Sequence, residues 1–125
     1  MNYAMVRLLL IAIAAVTVVS GLAQLVAPSV VLGIVAREPN VLGSHLFATV
    51  GMFMVITGAM FLQSLLKRSA EPAIPFWIGV QKAAAAILVG LAVARGLFTP
   101  LAIGVATFDA VTSIVAFIFW SRLPR

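Results

Sequence analysis

No charged residue occurs between Leu8 and Ala36, or between Pro39 and Leu66. Each run exceeds the ~20 apolar residues that carry a helix across a bilayer. A soluble globule could not cover itself with so little polar surface: 9% of the 125 residues are charged and 64% are hydrophobic, against roughly a quarter and a half in soluble domains. Mean hydropathy is +1.24. Two further spans follow, one interrupted by Lys82 and one by Asp109. Lipid-exposed strands would leave backbone groups unpaired, so the spans read as helices. The expectation is an all-α integral-membrane four-helix bundle with both termini on one side. It forms a single transmembrane domain over 1–125, with helices at about 5–27, 43–66, 75–95 and 100–120.

The first span carries Arg7 and then SGLAQ, which has the flavour of a signal-peptide cleavage site. Its apolar run continues past Ala23, so it reads as a membrane helix. The connection VAPSVVLGIVAREPN (26–40) is long and still apolar, and part of it is expected to lie along the membrane surface. LLKRSAEPAIP (65–75) is a short polar turn. ARGLFTP (94–100) is tighter, with Thr99 placed as an N-cap and Pro100 at the first helical position. Arg7, Lys67, Arg68, Arg122 and Arg125 fall on one side, against Arg37 and Arg95 on the other. The positive-inside rule then puts both termini in the cytoplasm, and Trp77, Trp120 and Tyr3 suit that same interface.

The composition excludes several chemistries. Without cysteine there are no disulfides, thiolate metal sites or iron–sulfur clusters, and no quinone-linked four-helix thiol oxidoreductase. One histidine, His45, excludes bis-histidine haem and a His-rich metal cluster. His45 lies at the start of the second helix, where an interfacial packing role competes with binding or proton transfer. There is no phosphate-cradling glycine loop, no HExxH, no carboxylate pair and no Ser/His/Asp set. No catalytic residue and no metal site is therefore assigned. The eight basic residues are scattered rather than striped among aromatics, which argues against nucleic acid.

Small residues must let helices approach, because lipid supplies no hydrophobic drive between them. Ala14, Thr17, Gly21, Gln24 and Pro28 share one face of the first helix. Ala48, Gly51 and Gly58 mark the second, Ala86, Gly90 and Ala94 the third, and Ala102, Ala106 and Ala110 the fourth.

Asp109 and Lys82 are the residues most in need of explanation. An ionisable group at this depth costs several kcal/mol and usually faces the bundle interior with a partner. With the last two helices antiparallel across the tight turn, Lys82 and Asp109 differ in depth by about five residues, or ~7–8 Å. A lysine stem can span most of that. Arg95 lies ~12 Å away in depth and is placed to snorkel to its own interface. In one reading Lys82 and Asp109 form a structural ion pair, with Thr112 and Ser113 satisfying spare lone pairs of the carboxylate. In the other, Asp109 lines a cavity and binds a proton, a cation or a polar head group. Gln24, Gln81, Thr17 and Thr57 are the remaining polar candidates. Turned inward, they would make a narrow polar stripe in an apolar pocket, suited to an amphipathic molecule such as a quinone or lipid.

The stretch RLLLIAIAAVTVVSGLAQLVAP (Arg7 to Pro28) resembles the first helix of the DoxX-like superfamily of small bacterial four-helix membrane proteins. WIGVQKAAAAILVG (77–90) and FDAVTSIVAFIFW (108–120) are similar to uncharacterised relatives, with a Lys in the third helix and an Asp before a Phe-rich end of the fourth. The resemblance implies that Lys82 and Asp109 are the marked positions, a bacterial inner-membrane location, and company with quinone-using oxidoreductase systems for some members. The chain departs from better-known members in GSHLFATVGMFMVITG (43–58), which has no acid.

The reading that results is an accessory subunit or a lipid- or quinone-binding module without catalytic chemistry of its own. No cofactor is required, and quinone or lipid is the ligand class the polar stripe suits. Membrane lipids are the implied partners, with another membrane protein or a homo-oligomer open as protein partners. The alternative is a small proton-coupled transporter with Asp109 as the coupling carboxylate.

Overall fold

Prolines and asparagines cut the apolar chain into helices. The computed structural model describes residues 2–124. Helix α1 (Tyr3–Val26) starts where the Asn2 side chain accepts a hydrogen bond from the Met5 amide at 2.9 Å. It stops because Pro28 pushes Ala27 out of helical geometry, to φ −130° and ψ 59°. Pro28 then opens α2 (Pro28–Val35). Asn40 caps α3 (Val41–Leu66), accepting from the Gly43 amide at 2.6 Å. Pro72 precedes α4 (Ala73–Ala94), and α5 runs Ala102–Ser121.

Four of these helices are long and apolar enough to cross a membrane. The protein is an all-α integral-membrane bundle, but it holds five helices among the described residues, not the expected four. The fifth, α2, lies in the 26–40 connection. Its eight residues extend only ~12 Å, too short to cross.

Helix α1 packs chiefly on α3, and α4 on α5; the two pairs meet along narrower α1–α5 and α3–α4 seams. Gly21 and Gly51 set the α1–α3 crossing. A Cβ on Gly51 would stand 2.7 Å from the Gly21 carbonyl oxygen, and one on Gly21 2.8 Å from that of Gly51. Only glycine permits backbones to approach so closely. The small residues expected to seat the third span do not do so. Gly90 and Ala94 are exposed, and nothing lies within 4 Å of a Cβ built on Gly90. Helix α4 instead buries Pro75, Ile78, Gly79 and Lys82, one turn-spaced stripe nearer its start.

One end of the bundle is a packed apolar core. Val6, Leu10 and Ile13 of α1 meet Phe61 and Leu65 of α3, Ile78 of α4, and Val115 and Phe119 of α5. Tyr3 stacks on Phe119 at 5.3 Å between ring centroids, and Leu123 joins the same cluster, so both termini lie at this end. Arg7 is half-buried here, and its Nε donates to the Leu65 carbonyl at 2.7 Å. That bond satisfies one of the last carbonyls of α3, which a helix end leaves without a partner.

The other end is closed differently. The expected capping role of Thr99 is not observed: α5 begins at Ala102 after a tight turn in which Ala102 donates to the Thr99 carbonyl. The Thr99 hydroxyl donates instead to the Ile34 carbonyl at 3.3 Å, and its amide to the Val35 carbonyl at 2.7 Å. The orphan carbonyls at the end of α2 have recruited it. Arg37 returns a third bond, its amide donating to the Leu97 carbonyl at 3.1 Å. Gly96, at φ +71°, lets the α4–α5 chain turn toward this contact.

Candidate functional site

Between the apolar core and α2 the two helix pairs diverge around a cavity of about 570 Å³. Its walls come from all five helices and are mostly apolar, including Phe47 and Met54 of α3, Val89 of α4 and Val105 and Phe108 of α5. Val31 and Val35 of α2 form its roof, with Phe98 from the α4–α5 turn. Among the described residues, the only charged ones lining it are Lys82 and Asp109.

Lys82 Nζ lies 3.2 Å from Asp109 Oδ1, and each side chain is 10% exposed. The five-residue depth offset is thus spanned by the lysine stem. Burial at this level makes the pair sensitive to losing either member, since the survivor would be a desolvated charge without a partner. Lys82 Nζ also donates to Thr17 Oγ1 at 3.3 Å. The Thr17 hydroxyl gives its own proton to the Ile13 carbonyl at 3.0 Å, which turns its lone pairs toward the ammonium. The Phe108 ring stands 5.6 Å from Nζ, a further favourable contact for a cation. One buried cluster thus ties α1, α4 and α5 together.

The other candidates divide. Gln24 is buried and lines the cavity, but its Nε2 donates across the α1–α3 crossing to the Phe47 carbonyl at 2.9 Å. Gln81 lines the cavity and is exposed at its rim. Thr112 and Ser113 are buried on the expected face, yet neither bonds to Asp109. Thr112 donates to the Phe108 carbonyl and Ser113 to the Gly79 carbonyl, each at 2.8 Å. A helical hydroxyl has the carbonyl one turn back within reach, and that local bond outcompetes the carboxylate for Thr112. Ser113 instead staples α5 to α4. Thr57 likewise donates to the Phe53 carbonyl of its own helix at 2.8 Å. His45 is exposed in the first turns of α3 and does not line the cavity.

The sequence left Thr17 among the general polar candidates, although it is the residue that touches Lys82. The sequence does place Thr17 on one face with Ala14, Gly21 and Gln24, and the structure buries that whole face. The roof formed by α2 carries no comparable signal.

Among the described residues no group of three His, Cys, Asp or Glu side chains converges as a metal site would require. The arrangement offers a desolvated donor and acceptor at the floor of an apolar chamber. No family model matches the chain, and neither a curated protein nor a solved structure matches it.

Proposed function

We propose that this protein binds an amphipathic molecule, a lipid or a quinone, in the cavity above Lys82 and Asp109. It serves in this reading as an accessory subunit or binding module of the bacterial inner membrane, with both termini cytoplasmic and without catalytic chemistry of its own. The DoxX-like resemblance of its first, third and fourth spans belongs to the same reading. One observation carries it: a chamber of about 570 Å³, within the ~300–1,000 Å³ of small-molecule sites, apolar except for a few convergent polar groups. A transporter would need Asp109 unpaired and reachable from each side in turn. Asp109 is paired, and the core closes the end that holds the termini, so binding has the better support.

The test is thermal unfolding of the purified protein in mild detergent, titrated with a decyl-chain quinone and with a monoacylglycerol. At least one should raise the midpoint, as any ligand of the folded state does. Ala85→Trp, which fills the cavity from α4, should abolish the shift. No shift with either probe, together with no amphiphile recovered on solvent extraction of the membrane-purified protein, sinks the reading.

A further inference from the structure

We propose that the cavity selects an uncharged amphiphile whose head carries a carbonyl or hydroxyl oxygen, and that this molecule enters sideways from the bilayer between α1 and α5. The proposal rests on the binding reading above and specifies its ligand and its route.

The head-group class follows from charge balance. Among the described residues, Lys82 and Asp109 are the only charged ones on the cavity wall. Together they carry no net charge, whichever of them holds the shared proton. A carboxylate, phosphate or ammonium head would therefore bring an uncompensated charge into an apolar chamber, which is strongly unfavourable. Hydrogen-bonding capacity is nevertheless left over. The lysine ammonium has three protons, of which one faces Asp109 and one Thr17. A carboxylate has about four lone-pair sites, of which Lys82 takes one. The floor thus offers a spare donor and spare acceptors without a spare charge, which matches a ketone, ester, quinone or alcohol head.

The route follows from what closes each side. The apolar core shuts one end. Helix α2 shuts the other, latched to the α4–α5 turn by Thr99 and by the Arg37 amide. On the α1–α5 side, Ser20 and Ala23 of α1 and Gly104 and Val105 of α5 all line the cavity and are exposed. Nothing lies within 4 Å of a Cβ built on Gly104. Small residues therefore leave a gap on this seam, whereas on the α3–α4 side the exposed lining residues are the larger Val50 and Gln81, with Phe47 and Met54 beside them in the wall.

The test uses the full chain in lipid nanodiscs and a monoacylglycerol carrying a diazirine in its chain, with labelling followed over time by intact mass and mapped by peptide analysis. Labelling is expected on α1 and α5. Unlabelled monolaurin should compete, while laurate and dodecylamine should compete about 100-fold less well. Gly104→Phe, and independently Val105→Phe should the first fold poorly, should slow labelling about tenfold. Thr99→Val, which loosens the α2 latch, should leave the rate unchanged. Equal competition by laurate or dodecylamine overturns the head-group class. Unchanged labelling in both portal variants, or faster labelling in Thr99→Val, overturns the lateral route. No labelling of the wild-type chain at all overturns the binding reading beneath both.

Discussion

The two ends of this bundle use the same kinds of residue to opposite effect. At the end that holds the termini, four helices interlock around Phe119, which is 0% exposed, and side chains fill the space between the pairs. Past Lys82 the same helices separate, α2 folds across the opening, and a chamber remains. The closed end is held by interdigitated side chains such as Leu10, Phe61 and Leu65. The open end is held at two points, the Lys82–Asp109–Thr17 cluster at its floor and the α2 latch at its roof. Dispersion contacts at close-packed density therefore keep the bundle together at one end, and directed polar contacts do so at the other.

That contrast can be broken in order of effect. Asp109→Asn or Lys82→Met should each destabilise the protein by about 3–5 kcal/mol, because each strands a buried group without its partner. The double variant should recover much of the loss. Reversible unfolding in detergent of the three variants reads this directly; additive losses would mean the two residues do not act as a pair. Next, Phe119→Ala should cost about 3 kcal/mol through an unfilled cavity at the closed end. Val50→Ala on the wall of the chamber should cost less than about 1 kcal/mol, since much of that side chain has no packed neighbour to lose. Equal costs would remove the distinction between the two ends.

Smaller effects sharpen it. Ser64 is buried near the closed end, and its Oγ is the one buried side-chain polar atom among the described residues without a hydrogen-bond partner. Ser64→Ala should raise stability by about 1 kcal/mol by removing that desolvated hydroxyl. A loss instead would show that the hydroxyl has a hydrogen-bond partner, such as an enclosed water, in the folded protein. At Gly90, where a methyl group meets nothing, Gly90→Ala should add about 0.5–1 kcal/mol from backbone entropy alone. A destabilised Gly90→Ala would reveal a close neighbour, such as another copy of the chain, on that face of α4.

Much of the architecture could be read from residue types in order. The four spans were legible because the cost of putting a charge in lipid is large and local, so uncharged runs mark the helices. Asp109 with Lys82 was legible for a related reason. They sit on consecutive helices joined by a tight turn, and chain connectivity alone sets their relative depth. The seam at Gly21 and Gly51 was visible as small residues on shared faces. The similar-looking run at Ala86, Gly90 and Ala94 was misleading, because spacing says which residues share a face but not which way that face turns.

The hydroxyls expose the same limit. Thr112 and Ser113 lie on the face that helical spacing predicts, but bonds to the Phe108 and Gly79 carbonyls claim them in the folded chain. Thr99 has the residue type and the position of a helix cap, yet the end of α2 holds it. Each of these choices is a competition between a local acceptor and a distant one, and its outcome depends on distances that only the assembled bundle defines.

The sequence by itself determined the solvent this protein lives in, the number of its crossings and the identity of its buried charges, because those follow from transfer energies that act residue by residue. Only the tertiary structure decided that Thr17 of the first helix completes the ion pair, that α2 roofs the far end, and that a chamber lies between. Those depend on how helices far apart in the chain rotate and lean against one another, and no per-residue energy carries that information.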